Sequence, residues 1–123
     1  MGILKRFLQF AIERKVEYME TKELFINSLL SKDKELLNEI LDEIYPIDTA
    51  ILLEEIDDDL LLVFCQMVDK KQIAEVIEQS EITLQKRILE HFNMSDVIEI
   101  FSYMSNDDIT DIIGELPFQL RKD

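Results

Sequence analysis

The sequence predicts an all-α fold: a right-handed superhelical array of short antiparallel helix pairs, about nine or ten helices in all, preceded by a longer N-terminal amphipathic helix. Three observations carry that expectation. The 123 residues include only two glycines and two prolines, so few chain reversals can rest on glycine turns with φ > 0, which disfavours a β-sandwich. Apolar residues recur at three- and four-residue spacing rather than in alternation. From residue 45 onward, residues suited to helix starts return about every twelve positions.

Residues 1–44 read as a set of N-terminal helices. A first helix over residues 3–18 carries Leu4, Phe7, Leu8, Ala11, Ile12 and Val16 on a broad apolar face. Thr21 to Leu30 and Asp33 to Ile44 supply two more, the latter with Leu36, Leu37, Ile40, Leu41 and Ile44 as its stripe. Residues 45–123 form the repeat region of the same single domain. Helix boundaries are expected at Tyr45-Pro46, Asp57, Asp69, Ser80, Asn93, Ser105 and Pro117, with spacings of 12, 12, 11, 13, 12 and 12. Asp, Ser and Asn side chains accept from the free N–H groups of a first helical turn, and Pro needs no donor there.

Each segment between markers has its own apolar stripe. Ile51, Leu52 and Ile56 come first, then Leu61, Phe64 and Val68, then Ile73, Val76 and Ile77. Leu84, Ile88 and Leu89 follow, then Val97, Ile100 and Phe101, and last Ile109, Ile112 and Ile113. Helices this short are marginal alone, so each must bury its stripe on its neighbours, and paired units stack. Leu60 to Val68 is apolar almost all round and is expected at the centre of the core. Another helix is expected to begin at Phe118 to Leu120.

With 47% hydrophobic and 33% charged residues the chain is expected to fold. Its formal net charge of −14 repels phosphate backbones, so no nucleic-acid partner is expected, and it attracts cations or basic protein surfaces. A lone Cys65 allows no internal disulfide, and its place in the most apolar segment makes it a small core residue. The longest apolar run, Leu60 to Cys65, is six residues, against roughly 20 for a membrane span. Arg6 stands where an N-myristoylation signal needs Ser or Thr, and Lys5, Arg6 and Glu13 interrupt any signal-peptide core. The single His91, following Glu90 near a helix C-terminus, has no second His or nearby Cys with which to hold zinc. Met67, Met94, Tyr103 and Met104 fall at helix ends as gap fillers. One His, two glycines and no phosphate-cradling loop leave no nucleophile–base pair, so no enzymatic activity is expected.

Three pieces of the repeat region carry a family resemblance. Pro46, Asp48 and Ala50 run into Leu53-Glu54-Glu55-Ile56; residues 74–76 read Ala74-Glu75-Val76; and residues 106–117 read Asn-Asp-Asp-Ile-Thr-Asp-Ile-Ile-Gly-Glu-Leu-Pro. In order and spacing these resemble the N-terminal cytosolic domain of MgtE-type magnesium transporters, over roughly 75 residues. The resemblance implies a cytosolic regulatory domain at the cytoplasmic face of the cell membrane. It implies Mg²⁺ as the ligand, held weakly or not at all by this domain alone, and the CBS and transmembrane domains of the same homodimeric transporter as partners. In such transporters the domain packs on the CBS domains when Mg²⁺ is high and swings away when it falls. Carried over by position, Glu75, Asp107 and Asp111 match acidic residues of that interface, as partial sites completed by the CBS domains. The chain carries neither CBS domains nor membrane helices, so it is expected to be a fragment, with a stand-alone paralogue as the alternative.

Other readings of the same residues stand beside these. Asp107 and Asp108 also suit the positive end of a helix starting at Ser105, and Asp57-Asp58-Asp59 suits a cap and first turn. Lys5, Arg6, Arg14 and Lys15 with Phe7 and Phe10 suit a membrane-surface helix, or one docked on the domain's own core or on a second copy. The alternative function is an acidic helical-repeat interaction module, with a scaffold like that of FliG-type flagellar switch proteins.

Overall fold

The computed structural model describes residues 2–115. They form eight helices: α1 (Gly2–Leu30), α2 (Lys34–Glu43), α3 (Pro46–Glu54), α4 (Asp58–Met67), α5 (Lys70–Glu78), α6 (Ile82–Leu89), α7 (Met94–Phe101) and α8 (Asn106–Glu115). Among the described residues there is no strand. Pro117 and the helix expected from Phe118 lie outside them.

The twelve-residue punctuation is more regular than the sequence markers suggest. N-caps fall at Tyr45, Asp57, Asp69, Glu81 and Asn93, and α8 begins just after Ser105, so every step is twelve. The carboxylates of Asp57 and Asp69 accept from Leu60 and Gln72 N–H at 2.9 and 2.8 Å, and the Asn93 side chain accepts from Asp96 N–H at 2.9 Å. At α3 the Asp48 carboxylate accepts from Tyr45 N–H at 3.0 Å, with Pro46 in the first turn. The marker expected at Ser80 is displaced by one residue. Its hydroxyl instead donates to the Val76 carbonyl at 2.6 Å, closing α5, and Glu81 takes the N-cap without a side-chain bond.

Alternate helices stack. The odd members α3, α5 and α7 pack in sequence, as do the even members α4, α6 and α8, with α3 and α5 each touching α6 between the rows. This is how nine- and ten-residue helices bury their stripes: each lies on the helix two places along. One core results, running from Phe25 and Leu29 of α1 through Leu53, Phe64, Ile77 and Ile88 to Ile100 and Ile112. Phe25 and Phe64 meet ring to ring at 6.0 Å, placing α4 centrally against α1, as expected of the Leu60–Val68 segment. Ile51 and Ile113 depart from their assigned stripes and face outward, as do Met94 and Tyr103, whereas Met104 is buried.

The N-terminal region departs most from expectation. The helices assigned to 3–18 and 21–30 are one continuous α1, because residues 19–21 contain no glycine or proline and the Thr21 hydroxyl is satisfied inside the helix by donating to Glu17 O at 3.0 Å. Moreover, every residue from 2 to 20 is exposed, so the broad face of Leu4, Phe7, Leu8, Ala11, Ile12 and Val16 is not docked on the domain's own core. Only the last turns of α1 are buried, at Phe25, Ser28 and Leu29. Lys22 pins this end to α3 through an ion pair of 2.7 Å with Glu55. That ammonium, and then a hydrogen bond from Tyr18, hold the Glu55 carboxyl below its usual range.

α1 ends in a Schellman motif. Asp33 N–H donates to Ser28 O at 2.9 Å and Lys32 N–H to Leu29 O at 3.2 Å, with Lys32 at φ 55°. Asp33 then caps α2, accepting from Leu36 N–H at 3.1 Å.

Candidate functional site

The acidic residues singled out in the sequence lie on α5 and α8. Glu75 is exposed on α5, one turn before Glu78. Asp107 and Asp111 are both exposed on α8, four residues apart and so on one face of the helix. The start of α8 is a reciprocal cap. Ser105 Oγ accepts from Asp108 N–H at 3.2 Å and donates to the Asp108 carboxylate at 2.8 Å. Asp108 therefore does the structural work foreseen for an acid at the positive end of this helix, while Asp107 and Asp111 face solvent.

A carboxylate that the sequence reading did not select meets Asp108 here. Glu78, at the end of α5, forms a hydrogen bond with Asp108 across the array. Burial first, then that bond and the charge of Asp108, and finally the charge of Glu75 raise the Glu78 pKa above its ordinary value. The interaction runs between the end of α5 and the first turn of α8, 30 residues later in sequence by their numbering. The capping pattern at Ser105 and Asp108 was visible in the sequence, but its alignment with the end of α5 arises only from stacking.

Glu75 and Glu78 also border an open cleft of about 400 Å³, whose opposite wall is Tyr45, Pro46 and Ile47 at the start of α3. Acidic and apolar groups therefore share one concave surface. Among the described residues, no group of three or more His, Cys, Asp or Glu side chains is arranged to hold a metal ion. For Mg²⁺ this donor set is still chemically suitable as half a site, since the ion keeps several waters and takes one or two carboxylates from a given surface. Cys65 is buried, and burial pushes its thiol up to about 12, so it is inert at neutral pH.

Arg87 was also overlooked. Its guanidinium donates to Asp58 Oδ1 at 3.1 Å and to the carbonyls of Ile56 at 2.9 Å and Leu53 at 3.5 Å, tying α6 to the end of α3 and the start of α4. Asp58 belongs to the triple-Asp run whose first member, Asp57, is the N-cap, so the first two carboxylates of that run are held in structural bonds.

The fold is a two-row stack of short helices with carboxylates gathered at one edge. Residues 44–123 match the MgtE intracellular N domain, and the chain belongs to that family. The matched span begins at Ile44, just ahead of the first twelve-residue unit, and leaves α1 and α2 outside it. No curated protein and no solved structure matches the chain. No helix among the described residues is long and apolar enough to cross a membrane.

Proposed function

We propose that this domain senses cytosolic Mg²⁺ for a magnesium transporter and gates transport by ion-dependent contact with CBS domains of the same protein. Family membership supplies the transporter. The observation that favours ion sensing is the edge of the array, where Glu75, Glu78 and Asp108 crowd one another enough to raise the proton affinity of Glu78. Asp107 and Asp111 stand exposed on the adjoining helix. Like charges at such spacings cost a few tenths of a kcal/mol each, about 0.2–0.5 per pair, which a bound cation removes.

Asp107, Asp111 and Glu75 are the proposed partial ligands, with CBS carboxylates completing each site. Ions then act as removable glue: high Mg²⁺ holds two acidic faces together and low Mg²⁺ lets them repel. The domain sits on the cytoplasmic side of the membrane, in a homodimeric transporter. Reading the gene past the codon for Asp123 tests the partner assignment. Two CBS domains followed by membrane spans are expected; a stop codon or unrelated sequence rules this function out.

A further inference from the structure

The exposed N-terminal half of α1 lies outside the family match, and neither the core nor the acidic edge accounts for it. Ile3, Leu4, Phe7, Leu8, Phe10 and Ile12 are 54% to 85% exposed, although the helix around them is fully formed. At 3.6 residues per turn these six side chains cover an arc of about 200°, leaving Lys5, Arg6 and Gln9 on the remainder. The charge distribution is equally one-sided. Residues 1–16 contain four basic side chains and one acidic, a net +3, whereas the other 107 residues contain nine basic and 26 acidic, a net −17.

We propose that the first four turns of α1 bind an anionic phospholipid surface, with the apolar arc in the headgroup boundary and the basic side chains at the phosphates. A broad apolar face carrying phenylalanine and flanked by Lys and Arg is the chemistry of an interfacial helix. Charge complementarity selects an anionic surface. The acidic body does not cancel it at Lys5 and Arg6, because Ile3 lies roughly 30 Å along the helix from Phe25, the first buried residue of α1, and charges are screened over about 8 Å at physiological salt, whereas Arg14 lines a cleft with Glu43 and Asp48.

A second copy of the chain fits less well. Past Ile12 the apolar tracks are interrupted by Arg14 and Lys15, so fewer than three clean turns remain, where a coiled coil needs at least three heptads. In a bilayer interface both long side chains extend to the phosphates instead of breaking the seam. The proposal does not depend on Mg²⁺ sensing.

Co-sedimentation of the 123-residue chain with vesicles tests it. Binding to equimolar phosphatidylglycerol and phosphatidylcholine is expected to be at least about tenfold stronger than to phosphatidylcholine alone, and to weaken as salt is raised. Lys5→Gln with Arg6→Gln should reduce the partition coefficient by more than about tenfold, at about fivefold per charge. Phe7→Ser with Phe10→Ser should abolish binding and leave the melting temperature unchanged, because both rings lie outside the core. Equal pelleting with both vesicle types, no pelleting, or binding that survives loss of both phenylalanines overturns the proposal. So does a dimer in analytical ultracentrifugation that is lost in the same double variant, which assigns the face to a second copy.

Discussion

Lys32 holds the sharpest local compromise in the chain. It is the only described non-glycine residue with positive φ, at 55°, and it occupies the position of a Schellman motif that usually holds glycine. Lys32→Gly is expected to raise stability by about 0.5–1 kcal/mol, since the strain relieved exceeds the added chain entropy. Urea denaturation of the two proteins measures the difference directly. Arg87 behaves in the opposite sense. Two carbonyls at the end of α3 depend on its guanidinium, so Arg87→Ala should cost about 1.5–3 kcal/mol in the same assay. Arg87→Lys should recover only part of the loss, because a single ammonium cannot span Asp58 and both carbonyls. The exposed ion pair with Asp58 contributes little to that figure.

Helices rather than residues decide how legible this chain is. Five of the six starts from α3 to α8 were readable, three of them because Asp57, Asp69 and Asn93 do the same capping job on one twelve-residue rhythm. Glu81 was not, since it caps without a side-chain bond and the neighbouring Ser80 looks the better candidate until its hydroxyl is seen closing α5. α1 was divided in two because its stripe weakens after Val16, yet no glycine or proline ends the helix. Its exposure was unreadable for a different reason: periodicity shows that a face is apolar but not what covers it.

The pairing of α5 with α8 belongs to this scale too. Because the Glu78 pKa is raised, the folded protein binds more protons than the unfolded chain between the ordinary carboxylate value and the raised one. Folding is therefore penalised by this group above its folded pKa, and the penalty vanishes below the unfolded value. Glu78→Gln should be more stable than the parent at pH 7, by no more than about 0.5 kcal/mol at this exposed position. The advantage should disappear near pH 4, as thermal melts at the two pH values will report. Glu55, whose pKa moves the other way, is present in both proteins and cancels from the comparison.

For the molecule as a whole, stacking converts local signals into a surface. The sequence pointed to Glu75, Asp107 and Asp111 by resemblance, and the fold sets them on two helices whose nearer contact runs through Glu78 and Asp108. No spacing rule could reveal that contact, because it depends on α6 and α7 lying between the two helices in sequence. The acidic edge and the basic, apolar N-terminal half of α1 give the domain two surfaces of unlike chemistry.

The central claim is that Mg²⁺ bridges the acidic edge to a partner face. Protease protection of the transporter bearing this domain, measured across a Mg²⁺ titration, tests it most directly. The Asp107→Asn, Asp111→Asn variant is predicted to need several-fold more Mg²⁺ for half-protection than the parent. Identical titration curves for the two proteins would contradict the claim and remove these carboxylates from the sensor.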